Sequence, residues 1–162
     1  MFNRFWVSLF AGLVMSLLLA GNLQANTSIG LGYDVARQLD KNQDDGQTNL
    51  ALQVSILRRS ALVVGLASGD RYQVAEVGFK RYNEKYLSGS FFQLGASYWH
   101  GDEDKGADSN LGADLRLGYE LPITRNLVAT GAVSMLYGVD NPITNKSDEL
   151  IFRPHLGVIF HF

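Results

Sequence analysis

Residues 111–122 read Leu-Gly-Ala-Asp-Leu-Arg-Leu-Gly-Tyr-Glu-Leu-Pro, and apolar and polar side chains alternate along them. The odd-numbered positions are apolar: Leu111, Ala113, Leu115, Leu117 and Tyr119. The even-numbered positions, here called the polar parity, are Gly112, Asp114, Arg116, Gly118 and Glu120. Successive side chains of a β-strand point to opposite faces, so this alternation predicts a strand with one apolar and one polar face.

The same alternation recurs along the rest of the chain, and no apolar stripe at helical spacing follows residue 25. The further segments are Thr27 to Ala36, Thr48 to Arg58, Ala61 to Ala67, Tyr72 to Tyr82, Ser90 to His100, Leu127 to Tyr137 and Leu150 to Phe162. Most have about the 9–11 residues that a tilted strand needs to cross a bilayer, whereas the third is shorter. The sequence predicts an all-β fold, an eight-stranded antiparallel up-and-down transmembrane β-barrel.

The predicted connections alternate in length, as they do in transmembrane barrels. One end would carry the mostly long, polar connections 37–47, 68–71, 101–110 and 138–149, and the other end the mostly shorter ones 59–60, 83–89 and 121–126. Aromatic residues fall near both predicted rims, as in interfacial girdles. They are Tyr72, Tyr98, Tyr137 and Phe152 at the outer rim, and Tyr82, Phe92, Tyr119, Phe160 and Phe162 at the inner rim.

The N-terminus predicts export. A short basic start containing Arg4, an apolar run from Phe5 to Ala20 and the sequence Leu23-Gln24-Ala25 form the order of a secretory signal peptide. We expect residues 1–25 to be cleaved and residues 26–162 to form the barrel domain. Cleavage a few residues earlier and a retained helical anchor are the alternatives. The chain has no cysteine and a formal net charge of −2, which argues against disulfides and a nucleic-acid surface.

Two stretches resemble small eight-stranded outer-membrane proteins of the outer membrane protein X type and the transmembrane domain of outer membrane protein A. They are residues 117–127, similar to an inner hairpin of those barrels, and the ending Leu-Gly-Val-Ile-Phe-His-Phe at 156–162. The resemblance implies a monomeric protein of the Gram-negative outer membrane, surrounded by membrane lipid and lipopolysaccharide. It also implies that periplasmic chaperones and the barrel-assembly machinery handle the chain, and that this machinery reads Leu156, Val158, Phe160 and Phe162. Pro154 departs from the pattern and should lie where its missing N–H is not needed.

The polar parity predicts a charge network inside the barrel. Eight strands enclose only enough room for side chains, so an open pore is not expected. Acidic and basic groups nearly balance there, as a nearly dry interior requires. The predicted acids are Asp34, Glu76, Asp114 and Glu120, and the predicted bases are Lys80, Arg116, Arg153, His155 and His161. We expect this network to be a structural plug; a narrow, gated ion path is the alternative.

No enzyme, metal or cofactor site emerges from the sequence. The His-x-Ser pair of lipid A acyl-modifying barrels is missing, and the acidic loops lack the spacing of a calcium loop. We expect a non-enzymatic barrel with a structural or surface-interaction role, in which the loops Asp40–Gly46, Gly101–Ser109 and Gly138–Ser147 carry any recognition. The alternatives are the ion path, a lipid A acyl-modifying enzyme and a soluble periplasmic barrel of lipocalin type, whose apolar face would point inward.

Overall fold

The computed structural model describes residues 28–41, 44–141 and 149–162. The predicted signal peptide lies outside them, as do parts of two predicted recognition loops. Eight strands, each antiparallel to its neighbours in the chain, form a closed barrel in which β1 also pairs with β8. The strands are β1 (Ile29–Asp34), β2 (Thr48–Leu57), β3 (Ser60–Ser68), β4 (Tyr72–Tyr82), β5 (Gly89–Gly101), β6 (Asn110–Pro122), β7 (Leu127–Tyr137) and β8 (Ile151–His161). The predicted all-β fold, an eight-stranded antiparallel up-and-down barrel, and the predicted strand order are confirmed.

The two ends of the barrel differ in their connections. The terminal end holds the start of β1, Phe162 and the turns 58–59, 83–88 and 123–126. The loop end holds the connections 69–71 and 102–109 and the described residues of the connections 35–47 and 138–150. The connection 102–109 contains a short 3-10 helix (Glu103–Lys105). The predicted assignment of the connections to two ends therefore agrees with the structure. β3 has 9 residues, so the third strand is longer than the predicted segment Ala61 to Ala67.

The first strand was predicted too long, because the chain turns into a helix before Ala36. β1 ends at Asp34, and α1 (Val35–Leu39) follows directly. The Asp34 carboxylate caps α1 by accepting from the N–H of Arg37 at 3.2 Å. The Asn49 side chain on β2 meanwhile binds both backbone groups of Asp34, each at 2.8 Å. The pairing of β1 with β2 therefore ends in hydrogen bonds with a side chain, and Val35 no longer belongs to the strand. Among the described residues, no helix is long and apolar enough to cross a membrane.

Pro154 lies inside β8, opposite Val133 of β7. β1 ends before it reaches this level, because Asp34 pairs with Gly157. The N–H of Leu156 points towards β1 and donates to the Asp34 carboxylate at 3.3 Å. Because N–H directions alternate along a strand, the nitrogen of Pro154 faces the same side, beyond the end of β1. The proline therefore replaces no strand-to-strand hydrogen bond.

The interior is polar only in its middle. A cluster at the loop end consists of Ala67, Tyr72, Val74, Trp99, Ala107, Leu136, Val139 and Ile151. The terminal end is filled by Ala61, Tyr82, Phe91, Leu87, Val128 and Ile159, with Tyr86 and Ala132 packed against them. The predicted polar network therefore occupies only the middle of the interior, and apolar clusters fill both ends. Tyr72 and Tyr82 point inward and are buried, so their assignment to the aromatic girdles was wrong.

The turn 83–88 closes the terminal end. Leu87 is buried with a φ of 62°, and the Tyr86 hydroxyl donates to the carbonyl of Gln53 at 3.3 Å. The turn is longer than a tight hairpin because it folds these two side chains into the barrel mouth. It thereby shields the polar middle from that side.

We expect Gly118→Ala to destabilise the barrel and Gly131→Ala on the neighbouring strand to leave it unchanged. A Cβ atom at Gly118 would lie 2.6 Å from Ala132 Cβ and from Phe91 Cζ, whereas at Gly131 nothing lies within 4 Å. Overpacking of this kind costs about 1–3 kcal/mol. Equilibrium unfolding followed by tryptophan fluorescence measures the loss, and equal midpoints for both variants would contradict the inward packing of Gly118.

Candidate functional site

The part of the polar middle nearer the terminal end is a closed circuit of four side chains. Lys80 Nζ donates to Glu120 Oε1 at 2.6 Å and to Gln53 Oε1 at 2.9 Å. Gln53 Nε2 donates to the Tyr82 hydroxyl at 2.7 Å, and that hydroxyl donates to Glu120 Oε2 at 2.9 Å. Lys80 Nζ also lies 4.0 Å from the centre of the Phe91 ring. All four polar side chains are satisfied within the circuit, which is the condition for burying a charged pair.

The part of the polar middle nearer the loop end is organised by α1, which directs Arg37 into the barrel. Arg37 Nη1 forms an ion pair with Glu76 Oε1 at 2.6 Å, and Arg37 Nε donates to Gln47 Oε1 at 2.7 Å. Arg116 Nη2 lies 3.7 Å from Glu76 Oε2 and 3.9 Å from Asp114 Oδ2. Glu76 is therefore shared by two guanidinium groups, one from α1 and one from β6.

A third group connects β1, β7 and β8. His155 Nδ1 is hydrogen-bonded to Asp34 Oδ2, and His155 Nε2 lies 2.8 Å from Ser134 Oγ. The arrangement has the order of a nucleophile, a base and an orienting acid. Ser134 is 1 % exposed and lies beside Arg153, whose guanidinium stacks over Trp99 at 4.8 Å.

Most of the residues predicted for the network do lie together. The structure pairs Lys80 with Glu120, Arg116 with Glu76 and Asp114, and His155 with Asp34. Arg153 lies inward at the border of the loop-end cluster, over Trp99. His161 is separate from these groups, because it lies at the terminal end, where its N–H donates to the carbonyl of Asn126 at 2.9 Å.

Four members of the network were missed by sequence reasoning: Arg37, Gln47, Gln53 and Tyr82. Arg37 and Gln47 were assigned to a loop, although Asp34 followed by Val-Ala-Arg-Gln-Leu is compatible with a capped helix start. Gln53 was placed on the polar face of its strand but not joined to the charges. Tyr82 was misplaced because its position near a strand end suggested a girdle.

Two cavities beside the charged residues of the interior are small. One cavity of about 80 Å³ lies among Arg37, Glu76, Arg116 and His155, and another of about 10 Å³ lies beside Ser134. The larger one has room for a few water molecules and for no ordinary ligand. Within the described ranges, no group of three or more His, Cys, Asp or Glu side chains could hold a metal ion.

The loop end is acidic, and Asp44 connects two of its segments in what we call the Asp44 clamp. Its carboxylate accepts from the N–H groups of Arg71 at 2.7 Å and Tyr72 at 3.0 Å, which ties the first loop to the start of β4. Exposed charges surround this clamp, among them the pair Lys105–Asp70 at 2.5 Å. Of the three loops predicted to carry recognition, 101–109 is described in full, whereas 42–43 and 142–148 fall outside the described residues.

No protein-family model, no curated protein and no solved structure matches this chain. Its function is therefore inferred from the chemistry of the two faces and the two ends of the barrel.

We expect Lys80→Met to destabilise the barrel strongly, by about 3–5 kcal/mol, because it leaves the buried Glu120 carboxylate without its counter-ion. Adding Glu120→Met to that variant should restore part of the loss, since the double variant buries no unpaired charge. The control is Lys105→Met, which breaks an exposed ion pair and should not change stability measurably. Chemical unfolding of the four proteins measures the differences. Equal stability of the Lys80→Met and Lys105→Met variants would contradict a stabilising role of the circuit.

Proposed function

We propose that this protein is a non-enzymatic β-barrel of the bacterial outer membrane, of the outer membrane protein X and A type. Its role in this proposal is structural or surface-interactive, with any recognition carried by the loops of the loop end. The observation that carries the proposal is the distribution of polarity, because the outer wall is apolar and the middle of the interior is charged.

The outer wall exposes large apolar side chains on every strand. Leu94 is 54 % exposed, Leu117 55 % and Leu156 63 %, and similar residues continue around the barrel. They include Leu31, Leu50, Leu62, Val77, Phe79, Val133, Phe152, Val158 and Phe160. The largest apolar patch on a soluble monomer measures roughly 300–600 Å². A band that encircles the molecule is stable in hydrocarbon, where the closed barrel leaves no strand edge unpaired.

A soluble binding barrel would have the opposite polarity. It needs a polar wall in water and an apolar interior that can hold a ligand. Here the middle of the interior holds Lys80, Glu120, Arg37 and Glu76, and the larger cavity is only about 80 Å³. Both features favour the membrane over the soluble alternative.

Ion conduction has little support in the geometry. A path would have to cross the terminal-end cluster around Tyr82 and the loop-end cluster around Trp99, both fully buried. It would also have to separate the Lys80–Glu120 pair. We therefore propose that the interior is a plug that holds the barrel in one shape.

Among the described residues, the group Ser134–His155–Asp34 is the one arrangement that resembles catalytic machinery. A hydrolase needs space beside the serine for an acyl group and for the oxyanion of the tetrahedral intermediate. Ser134 is 1 % exposed, and the cavity beside it measures about 10 Å³. We propose that the group instead fixes the orientation of His155 and joins β8 to β1 and β7.

The orientation in the membrane follows from the connections. We propose that the loop end faces the cell exterior and the terminal end the periplasm, because short turns face the periplasm in such barrels. Leu156, Val158, Phe160 and Phe162 form an exposed row along the outer wall, which is available to lipid and to the assembly machinery. The acidic loop end would approach lipopolysaccharide through divalent cations.

Migration on a gel tests the proposed location. We expect the protein to fractionate with outer membranes and to migrate faster unheated than boiled, because a closed barrel resists detergent until heating. Recovery as a soluble periplasmic protein with one migration rate would overturn the proposal. A planar-bilayer recording then separates the plug from the ion path, and we expect no steady single-channel current.

A substitution on the outer wall tests which solvent the wall faces. Leu94→Arg lies in the middle of β5, between Phe79 and Leu115, and should cost about 2–4 kcal/mol at the centre of a bilayer. Gln73→Arg, on the same outward face near the loop end, should have little effect because the cost falls towards the interface. Folding into phosphatidylcholine vesicles under increasing urea measures both. If Leu94→Arg folds as well as the control variant, the wall does not face lipid.

A further inference from the structure

We propose that the outer wall at the terminal end binds the phosphate of one anionic glycerophospholipid, with Arg59 and Arg81 as its ligands. The proposal rests on the membrane location inferred above. The site is a groove of about 430 Å³, here called the arginine groove, lined by Arg59, Arg81, Asn83, Ser90, Phe92 and Leu117.

The backbone holds the two arginines of the groove side by side. Arg81 points outward near the end of β4, and its Nη1 donates to Ser60 Oγ at 3.0 Å. Arg59 lies in the turn before β3, and its carbonyl accepts from the N–H of Tyr82 at 2.8 Å, which fixes the turn against the end of β4. Both side chains are exposed. The Arg81 guanidinium is thus positioned by Ser60, the exposed Arg59 side chain starts beside it, and guanidinium groups match the oxygen atoms of a phosphate.

The positive charge of the groove is not compensated by protein. Within the part of the chain that the structure describes, no carboxylate forms an ion pair with Arg59 or Arg81. The surrounding turns at this end add Arg58, Lys85 and Arg125 and a single acid, Glu84. The groove therefore favours an anion.

The groove changes from charged to apolar in the direction that a lipid requires. Arg81, Phe92 and Leu117 are paired in one row across β4, β5 and β6. Arg81 is next to the last residue of β4, whereas Leu117 lies deep in β6, so the row climbs away from the terminal end. Phe92 and Leu117 are 41 % and 55 % exposed. A head group at the arginines would thus place its acyl chains along Phe92 and Leu117.

This order distinguishes the ligand from a soluble anion. A free phosphate would use only the arginines and leave the apolar half of the groove empty. A membrane lipid uses both halves at once, and an anionic one gains from each arginine. For that reason we commit to an anionic glycerophospholipid, with phosphatidylglycerol as the probe.

Native mass spectrometry of the folded protein in neutral detergent tests the site. With added phosphatidylglycerol, we expect one lipid to stay bound, and glycerol phosphate in excess should not displace it. Arg59→Gln combined with Arg81→Gln should weaken binding about thirtyfold, since each arginine near an anionic lipid contributes about fivefold. Arg59→Gln alone, which leaves the Arg81–Ser60 bond intact, should weaken it several-fold.

The control variant is Arg125→Gln, in another exposed turn of the same end, and it should bind as the unchanged protein does. Equal binding by the double variant, or an equal loss in the Arg125→Gln variant, would overturn the groove as a specific site. Insertion into phosphatidylcholine vesicles separates the two proposals. Insertion without arginine-dependent lipid binding refutes the groove alone, whereas failure to insert overturns the membrane location and the groove together.

Discussion

Closure of the sheet is the constraint on which the rest of this structure depends. The pairing of β1 with β8, which sets Leu31 opposite Phe160, gives every strand two neighbours and removes the open edges of the sheet. Once the ring is closed, the alternation of side chains assigns each residue to the inside or the outside. Eight strands leave little room inside, so long inward side chains need small neighbours, as where Gly65 faces Glu76.

The interior solves the problem of buried charge by local pairing between apolar ends. Lys80 and Glu120 are satisfied in a circuit with Gln53 and Tyr82, and Glu76 is shared by Arg37 and Arg116. The aromatic clusters keep bulk water away from these groups, which strengthens each interaction and raises the cost of breaking one. Such an interior specifies one packed state. That state agrees better with a scaffold than with a gate.

The two ends of the barrel have opposite electrostatic character. The described loop end carries ten acidic side chains, from Asp40 to Glu149, against Lys41, Arg71, Lys105 and the inward-directed Arg37. Among the charged side chains in the turns of the terminal end, arginine and lysine outnumber the single acid Glu84. Under the proposed membrane location, the two ends would meet the head groups of different leaflets, and each end presents them with a surface of different charge.

The alternation of residues along the chain is enough to predict the number of strands, their order and the face on which most strand residues lie. These follow from a period of two residues, which is a local property that the hydrophobic pattern records directly. It also determined which strand charges lie inside. The tertiary structure decided which of them meet, because Lys80 and Glu120 are 40 residues apart and Asp34 and His155 are 121 apart. Such contacts depend on strand register and on closure, which a single strand does not encode. The same holds for α1, which brings Arg37 inside, and for the inward turn of Tyr72 and Tyr82. Alternation assigns a face, but only the packed barrel shows what fills each end.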